Sequence, residues 1–439
     1  MVSEVSVKKI AERLAGFENP VIVCHIDADG LTSGAIIFKT LEKMGKEPEI
    51  IPLKQLDPST YDRVPWDAEL IFVDLGAGQT EWTRNHVIID HHEPEEKTPY
   101  QLNAHFLGLS GSRDISSSGL SYLVSKELIG ESELAGIAVV GMVGDQIDRK
   151  PLQGYARIPL STPWVKPMKG LRYFGRETRI LPIFLEYASD PFIPGLSGEL
   201  AACYEFLERI GIDPEKTYHE LEKGERRMLN DELIKYASRV GVRVHRMVGE
   251  YYILPHMPEK TEMRDATEFA TLLNACGRHE KAKLGIELLL GRNVYDEAKK
   301  LLRKHRMLLS RGMREITERG TREFKNFQLF VSEEIKPTII GIVAGIAISS
   351  RSVNPNKPII AVSPDIEGEG YKISGRATME LVERGIDLGK AMREASEGIG
   401  EGGGHDIAAG AFVPFNQLEK FLRRLDYALG KQFNRGKNF

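Results

Sequence analysis

The sequence HIDADG at residues 25–30 is the stretch that decides how this chain folds. It follows the apolar run Val21–Cys24, which predicts a buried strand, and it precedes a helix-like stretch that begins at Leu31. One histidine and two aspartates therefore leave a strand end together, and the turn at Gly30 can direct their side chains to a common point. Imidazole and carboxylate groups in this arrangement suit a divalent metal ion.

Three more apolar runs end in acids or histidines, whereas an isolated match would more often be an ordinary turn. The runs lie at residues 70–73, 87–89 and 137–143. The residues that follow them are Asp74, then Asp90, His91 and His92, and then Asp145. Open α/β sheets build their sites where the carboxyl ends of neighbouring strands meet. The four motifs therefore predict one shared site.

We expect an α/β fold with a parallel sheet in the N-terminal part, followed by a helical middle region and a smaller C-terminal α/β domain. The predicted strands lie near residues 21–25, 48–53, 70–74 and 86–90, and later at 328–331 and 358–362. Apolar residues at three- and four-residue intervals, as in 200–210 and 232–240, predict the middle helices. The expected domains are residues 1–195, 196–325 and 326–439, with the substrate in a cleft between the two α/β domains.

Composition indicates a protein with two cores and no membrane segment. The 439 residues exceed what one core usually serves, and 41% of them are hydrophobic. The longest strongly apolar stretch, residues 339–348, is too short to span a bilayer and predicts a buried helix. Three widely spaced cysteines without a CxxC pair argue against zinc and for a reducing compartment. We therefore expect a cytoplasmic protein.

The order of these motifs resembles the DHH phosphoesterase superfamily. The four N-terminal motifs are HIDADG, VDLG at residues 73–76, IDHH at 89–92 and GDQID at 144–148. Near the other end, GGGH at 402–405 resembles the signature of the DHH-associated C-terminal domain, and SGR at 374–376 resembles its phosphate-binding arginine motif. The segment IGIVA at 340–344 is similar to one found in RecJ-type nucleases. The whole chain most resembles archaeal RecJ-like proteins.

The resemblance implies two divalent cations at the N-terminal site. His25, Asp27 and Asp74 would hold one ion, and Asp29, Asp74, His91 and Asp145 the other, so that Asp74 bridges them. Carboxylates and imidazoles without thiolates favour Mn²⁺ or Mg²⁺, and the histidines favour Mn²⁺ of the two. The resemblance assigns His92 to the scissile phosphate. We expect Asp90 to orient His91 or its loop, and Asp148 to do similar work.

A phosphate-binding site is expected in the C-terminal domain. Consecutive glycines let backbone N–H groups approach an anion closely, and an arginine can bind phosphate through two donors. The expected residues are Arg376, Gly403, Gly404 and His405. We expect this domain to hold the terminal nucleotide while the DHH domain cuts the adjoining bond.

Two basic stretches are candidates for contact with a nucleic-acid strand, although the formal net charge of −4 does not by itself indicate such a protein. Residues 149–179 carry eight Lys or Arg against one acid, with aromatic residues between them. They could bind a single strand, or they could form a loop whose aromatic side chains join the core. Residues 299–325 predict a connecting helix that Gly312 and Gly320 weaken. Its charges favour a solvated face, with strand contact as the alternative.

The function that these features favour is a metal-dependent exonuclease that hydrolyses single-stranded DNA from an end, with 3′→5′ polarity, in DNA repair or at stalled forks. The alternatives are a 5′→3′ RecJ-type exonuclease of the replisome, a phosphodiesterase of short oligonucleotides or cyclic dinucleotides, and a replication scaffold. The resemblance implies a Hef helicase/nuclease or the GINS complex as partner, and the overall pattern favours the Hef-associated group. RNA as a substrate and a homo-oligomer remain open.

Overall fold

A computed structural model describes residues 2–188, 191–242, 244, 247–365 and 368–435. These residues form two compact units. The first runs to Tyr187 and from Gly198 to Leu302, and the second contains Ala188–Ser197 and continues from Arg303. The middle region up to Leu302 is therefore part of the first unit. Within the described residues, no helix is both long and apolar enough to cross a bilayer.

The first unit is built on a five-stranded parallel sheet. Its strands are β1 (Val21–His25), β2 (Glu49–Leu53), β3 (Leu70–Val73), β4 (Val87–Asp90) and β5 (Gln101–Asn103). Their order across the sheet is β2-β1-β3-β4-β5, and all neighbours are parallel. Parallel strands are covered on both faces, which is why they are continuous apolar runs in the sequence. The predicted fold class and its four N-terminal strands are confirmed.

Helices of the first unit pack on the sheet and extend into the middle region. They are α1 (Val2–Ala15), α2 (Ala28–Lys43), α3 (Thr80–Thr83), α4 (Ser117–Ile129), α5 (Leu134–Gly144), α6 (Leu181–Glu186), α7 (Leu200–Arg209), α8 (Lys223–Arg239), α9 (Ala266–Arg278) and α10 (Ala282–Leu289). A core of residues from α2, α4, α5, α9 and α10 lies on one face of the sheet. The helical middle region is confirmed. It also contains an antiparallel pair, β6 (Lys166–Leu171) and β7 (Val248–Ile253), which the sequence did not indicate.

The basic stretch 149–179 is largely occupied by contacts inside the first unit. Arg176 is fully buried and donates two hydrogen bonds to Asp265, with Nε–Oδ2 2.7 Å and Nη2–Oδ1 2.8 Å. Tyr173 is buried, and Arg172 pairs with Asp148. For these residues the second alternative is therefore correct: they pack into the first unit, and their side chains are not free to bind a strand. Asp148 faces an arginine, so we correct the expectation that it orients a histidine of the metal site.

The second unit holds a six-stranded mixed sheet. Its elements are α11 (Tyr295–Arg319, which begins in the first unit), β8 (Arg322–Glu323), β9 (Gln328–Val331), α12 (Pro337–Ser349), β10 (Ile359–Asp365), β11 (Gly370–Arg376), α13 (Met379–Glu383), α14 (Leu388–Ser396), β12 (Glu401–Gly404), β13 (Ala408–Pro414) and α15 (Leu418–Arg435). The strand order is β12-β13-β11-β10-β9-β8, with β9 and β10 parallel and the other neighbours antiparallel. The predicted C-terminal α/β domain and the buried helix at α12 are confirmed.

The two glycines that weakened the prediction of α11 have separate structural reasons. Gly320 follows the last residue of the helix with a φ of 69°, a left-handed conformation that favours glycine at a helix end. Gly312 lies inside α11, where an added Cβ would come within 2.6 Å of Val343 on α12. Close packing of two helices therefore compensates for the low helix propensity of Gly312.

Candidate metal centre

Seven side chains from five chain segments converge at the carboxyl edge of the parallel sheet. Three overlapping groups have ligand atoms within 4.8 Å of one another: His25, Asp27 and Asp74; Asp29, His91 and Asp145; and Asp74, His91 and His92. The ends of β1, β3, β4 and α5 deliver these side chains, and the first turn of α2 delivers Asp29. The structure thus brings together all six side chains that the sequence suggested as metal ligands.

Asp74 occupies the centre of this cluster. Its φ of 59° is a left-handed conformation that non-glycine residues seldom adopt, and its side chain is buried. The Asp74 carboxylate lies 3.4 Å from His25 Nδ1 and 3.2 Å from His91 Nε2, and it accepts a hydrogen bond of 3.0 Å from the Ser117 hydroxyl. Unusual backbone geometry concentrates at functional sites. Here it directs one carboxylate to both groups of ligands.

The position of His25 fits a bound cation. Its Nδ1 atom is buried and lies 3.0 Å from an oxygen of Asp27 and 3.4 Å from an oxygen of Asp74, yet it forms no hydrogen bond of acceptable geometry. A buried polar atom without a hydrogen bond is costly. A metal ion shared by His25, Asp27 and Asp74 would satisfy it, and the donor set of imidazole and carboxylates fits Mn²⁺ or Mg²⁺.

Asp29 is held by the N-terminus of helix α4. Its carboxylate accepts hydrogen bonds from the Ser116 hydroxyl at 2.5 Å, from Ser117 N at 2.8 Å and from Ser118 N at 3.1 Å. Backbone N–H groups and the helix dipole favour a negative charge at this point. The sequence interpretation missed these three serines. Three consecutive serines before a helical pattern were the signal that could have found them.

Electrostatics within the cluster favour the binding of a cation. Burial and the nearby Asp74 raise the pKa of Asp29 well above its usual value, and burial raises the pKa of Asp145 to about 6. Burial also acts to raise the pKa of Asp74, but the close imidazoles of His25 and His91 lower it well below its usual value. Several carboxylates in a small buried volume repel one another. A divalent ion would relieve that repulsion.

Asp90 positions the second histidine of the DHH triplet. Its carboxylate accepts hydrogen bonds from the backbone N–H groups of Ala77, His91 and His92, and it contacts His92 Nδ1 at 2.8 Å. Burial lowers the pKa of His92, but Asp90 raises it more, to about 9. The His92 side chain is half exposed. His92 is therefore a cation near neutral pH with one face open to solvent.

The ring of His91 is held by a residue that the sequence interpretation missed. His91 Nδ1 lies 2.7 Å from the carbonyl oxygen of Gly111, which leaves Nε2 directed to Asp74 and Asp145. A Cβ at position 111 would overlap the carbonyl oxygen of His91, so only glycine fits there. Metal-bound imidazoles commonly hydrogen-bond through their second nitrogen in this way. Asp90 thus orients the loop and His92, and Gly111 orients the ring of His91.

Helix α9 of the middle region supports the loop that carries the first ligands. The backbone N–H of Ala28, between Asp27 and Asp29, donates a 3.0 Å hydrogen bond to the side chain of Asn274 on α9. One turn later on the helix, a Cβ at Gly277 would overlap the carbonyl oxygen of Ile26. Helix and loop are therefore in backbone contact, and Asn274 fixes the peptide between two candidate ligands.

The glycines of the predicted phosphate site lie in a strand. Gly403 and Gly404 belong to β12, and Gly404 has a φ of 127°. A Cβ at neighbouring Gly402 would come within 2.7 Å of the Met392 carbonyl oxygen on α14. The glycine run therefore also serves close packing. His405 follows β12, and its backbone N–H donates a 2.9 Å hydrogen bond to the carbonyl oxygen of Ala408.

Arg376 ends strand β11 in the same sheet. Strand pairing places Gly403 opposite Gly410 and Gly410 opposite Ser374, so Gly403, Ser374 and Arg376 share one face. A Cβ at Gly341 on α12 would come within 2.8 Å of Arg376 Nη2, and the bare glycine leaves space for the guanidinium group. The structure thus places Arg376 and Gly403 on one face of the sheet, and Gly404, which is paired through Ala409 to Gly375, belongs to the other face. Their contact with phosphate stays a prediction.

Comparison with known proteins identifies the family. The model of the DHH family, N-terminal domain, matches residues 19–142, that of the DHH-CID domain matches residues 173–249, and that of the DHHA1 domain matches residues 325–431. The uncharacterized protein MJ0831 of Methanocaldococcus jannaschii is 31% identical over an alignment of 441 positions that covers 94% of each chain.

Two solved structures share the fold over almost the whole chain. Exonuclease RecJ bound to manganese has a TM-score of 0.58 and 18% identity, with 98% of this chain and 95% of that chain covered. CDC45 from Entamoeba histolytica has a TM-score of 0.64 and 13% identity, with 97% and 98% covered. The chain therefore belongs to the DHH phosphoesterase superfamily, whose fold it shares with RecJ. Its ligand cluster and its family together define a metal-dependent phosphoesterase.

Proposed function

We propose that the protein is a two-metal exonuclease that removes nucleotides from the 3′ end of single-stranded DNA. The observation that carries the proposal is the series of three overlapping ligand groups, of which two share Asp74 and two share His91. His25, Asp27 and Asp74 hold one cation, and Asp29, Asp74, His91 and Asp145 hold the other. Both cations are Mn²⁺ by preference, because each group contains a histidine. A role in DNA repair is part of the same proposal.

When bound, two divalent ions would lower the pKa of a water nucleophile and neutralise the charge of the scissile phosphate. The side chains of this chain then have distinct tasks. Asp74 and the α4 N-terminus keep the ligands in place, and His92 donates a hydrogen bond to a phosphate oxygen. Asp90 holds His92 through Nδ1, so the Nε2 side of the ring is the one that meets the substrate. Catalysis in this scheme needs no covalent enzyme intermediate.

The second unit binds the terminal nucleotide in this proposal. Arg376 contacts a phosphate through its guanidinium group, and Gly403, Gly404 and His405 supply further donors. The support is their placement in one sheet, where strand β13 lies between the strand of Arg376 and the strand of Gly403 and Gly404, and His405 directly follows the latter. A carboxylate-rich metal site alone would bind many phosphate esters, so a second binding element of this kind is what would select a polynucleotide end.

The test uses purified protein, Mn²⁺ and a 5′-labelled single strand of DNA, with products followed over time on a sequencing gel. Asp29→Asn removes a charge from the metal site, and Asp67→Asn makes the same change at an exposed aspartate as the matched control. A descending ladder that the control retains and Asp29→Asn abolishes is the expected result. Immediate release of labelled mononucleotide would reverse the polarity, and an uncut strand would contradict the proposal.

A further inference from the structure

Helix α11 concentrates positive charge over a short length of chain. Between residues 298 and 314 the sequence has seven Lys or Arg and no Asp or Glu, although acids outnumber bases in the whole chain, 63 to 59. The exposed helix α8 mixes both signs and forms the pairs Arg227–Asp231 and Lys235–Glu232. Like charges three or four residues apart destabilise a helix. Helix stability therefore does not account for the composition of α11.

The charges of the later part of α11 lie on one exposed side. We call this side the basic face of α11, and it consists of Arg303, Lys304, Met307, Arg311 and Arg314. The opposite side packs into a core of the second unit through Ile316, which fixes the rotation of the helix. Met307 lies among the cations, and its side chain is 66% exposed. The face is thus a row of cations with one exposed apolar side chain at its middle.

Of the four cations on the basic face, one forms an ion pair within the described residues. Arg311 pairs with Glu334. Within the described part of the chain, Arg303, Lys304 and Arg314 take part in no ion pair. An exposed helix that only needed solubility would gain from acids at the intervening turns. An anionic partner outside the chain accounts for both the row of cations and the missing acids.

We infer that the basic face of α11 binds the phosphate backbone of the single strand, outside the nucleotide that is being removed. This inference rests on the proposed exonuclease function and names one of its substrate contacts. Residues three or four apart on a helix are about 5–6 Å apart, and the eleven steps from Arg303 to Arg314 span about 16 Å. A few successive phosphates of an extended strand can follow such a row. Met307 is placed to contact a sugar or base between them.

Binding through phosphates has a measurable signature, because each contact releases counterions whatever the base sequence. The triple variant Arg303→Gln, Lys304→Gln, Arg314→Gln removes three cations from the face. Its matched control, Lys420→Gln, Arg423→Gln, Lys431→Gln, removes three exposed cations from α15. Affinity for a 20-nucleotide single strand is measured by fluorescence anisotropy at several salt concentrations, with EDTA present to prevent cleavage.

We expect the α11 variant to bind the strand about tenfold more weakly at low salt, and its slope of log affinity against log salt to fall by about 2. The α15 control should keep the slope of the unchanged protein. Hydrolysis of a dinucleotide with Mn²⁺ should not change in either variant, because its single internal phosphate is occupied at the metal centre.

Equal losses in both variants, or an unchanged salt slope in the α11 variant, would overturn the inference and show that the face is only solvated. Strand binding is measured in the absence of cleavage, so its result is independent of the test of the proposed exonuclease function. A protein that binds the strand through α11 and cleaves nothing would refute the proposed function and support the inference. A protein that cleaves single strands and binds them equally well without these cations would support the proposed function and refute the inference.

Discussion

Replacement of Asn274 by Ala should weaken metal binding although this residue is not a ligand. In the wild-type protein the side chain of Asn274 accepts a hydrogen bond from the N–H of Ala28, a buried residue between Asp27 and Asp29. A buried N–H that loses its acceptor costs about 1–3 kcal/mol. If that cost falls on the conformation that holds the ion, Mn²⁺ affinity falls by about 5- to 150-fold. Supporting residues around metal sites typically contribute 10- to 100-fold.

Calorimetric titration of Mn²⁺ into the purified variant measures this effect directly. Asn274→Asp keeps an oxygen that can accept the Ala28 N–H, so it should recover most of the affinity. Asn293→Ala makes the same truncation at an exposed asparagine and should bind Mn²⁺ like the unchanged protein. Wild-type affinity in Asn274→Ala, with or without a lower melting temperature, would show that α9 does not position the ligand loop.

Three more outcomes follow from the structure. His92→Gln should lower kcat about 10²- to 10⁴-fold while calorimetry shows unchanged Mn²⁺ binding, and weaker Mn²⁺ binding would instead make His92 a ligand. Burial and Asp265 raise the pKa of Glu268 from 4.5 to about 7, so Glu268 favours the folded state below about pH 4.5 and this contribution is lost as pH rises through 7. Urea unfolding measures the free energy of unfolding at pH 5 and at pH 8. Between these two pH values it should fall less for Glu268→Gln than for the wild type, by up to about 3 kcal/mol. An equal fall in the two proteins would count against this assignment. Arg176→Met should cost about 3–5 kcal/mol of unfolding free energy because it leaves Asp265 buried without its guanidinium partner, and Asp265→Leu added to it should restore part of the loss.

The sheet and the ligands could be predicted because each depends on local sequence. The strands of the parallel sheet are short apolar runs bounded by turn residues, and β9 begins and ends at the residues that its apolar run predicted. Most of the candidate ligands follow those runs closely, and the shared edge of a parallel sheet brings them together. Asp145 is the exception, because it follows helix α5.

The supporting residues could not be predicted because their contacts are distant in the chain. Ser116 meets Asp29 across 87 positions, and Asn274 meets Ala28 across 246 positions. The sequence around Ser116 and Asn274 has no periodic pattern that indicates which residue either side chain contacts. The burial of Arg176 could not be predicted for a related reason. A basic segment usually indicates exposed side chains, and the buried partner of Arg176, Asp265, lies 89 positions later in the chain.

Helix α9 lies outside all three family segments, which end at residue 249 and resume at residue 325. The first three N-terminal motifs lie in the DHH segment, whereas the helix that supports the first of them lies on a separate piece of the chain. A chimaera that kept the three segments and took residues 250–324 from an unrelated protein would retain every candidate ligand and lose the surface on which residues 26–28 rest. The motifs alone therefore do not guarantee an active site, because the loop that carries the first of them also needs the support of helix α9.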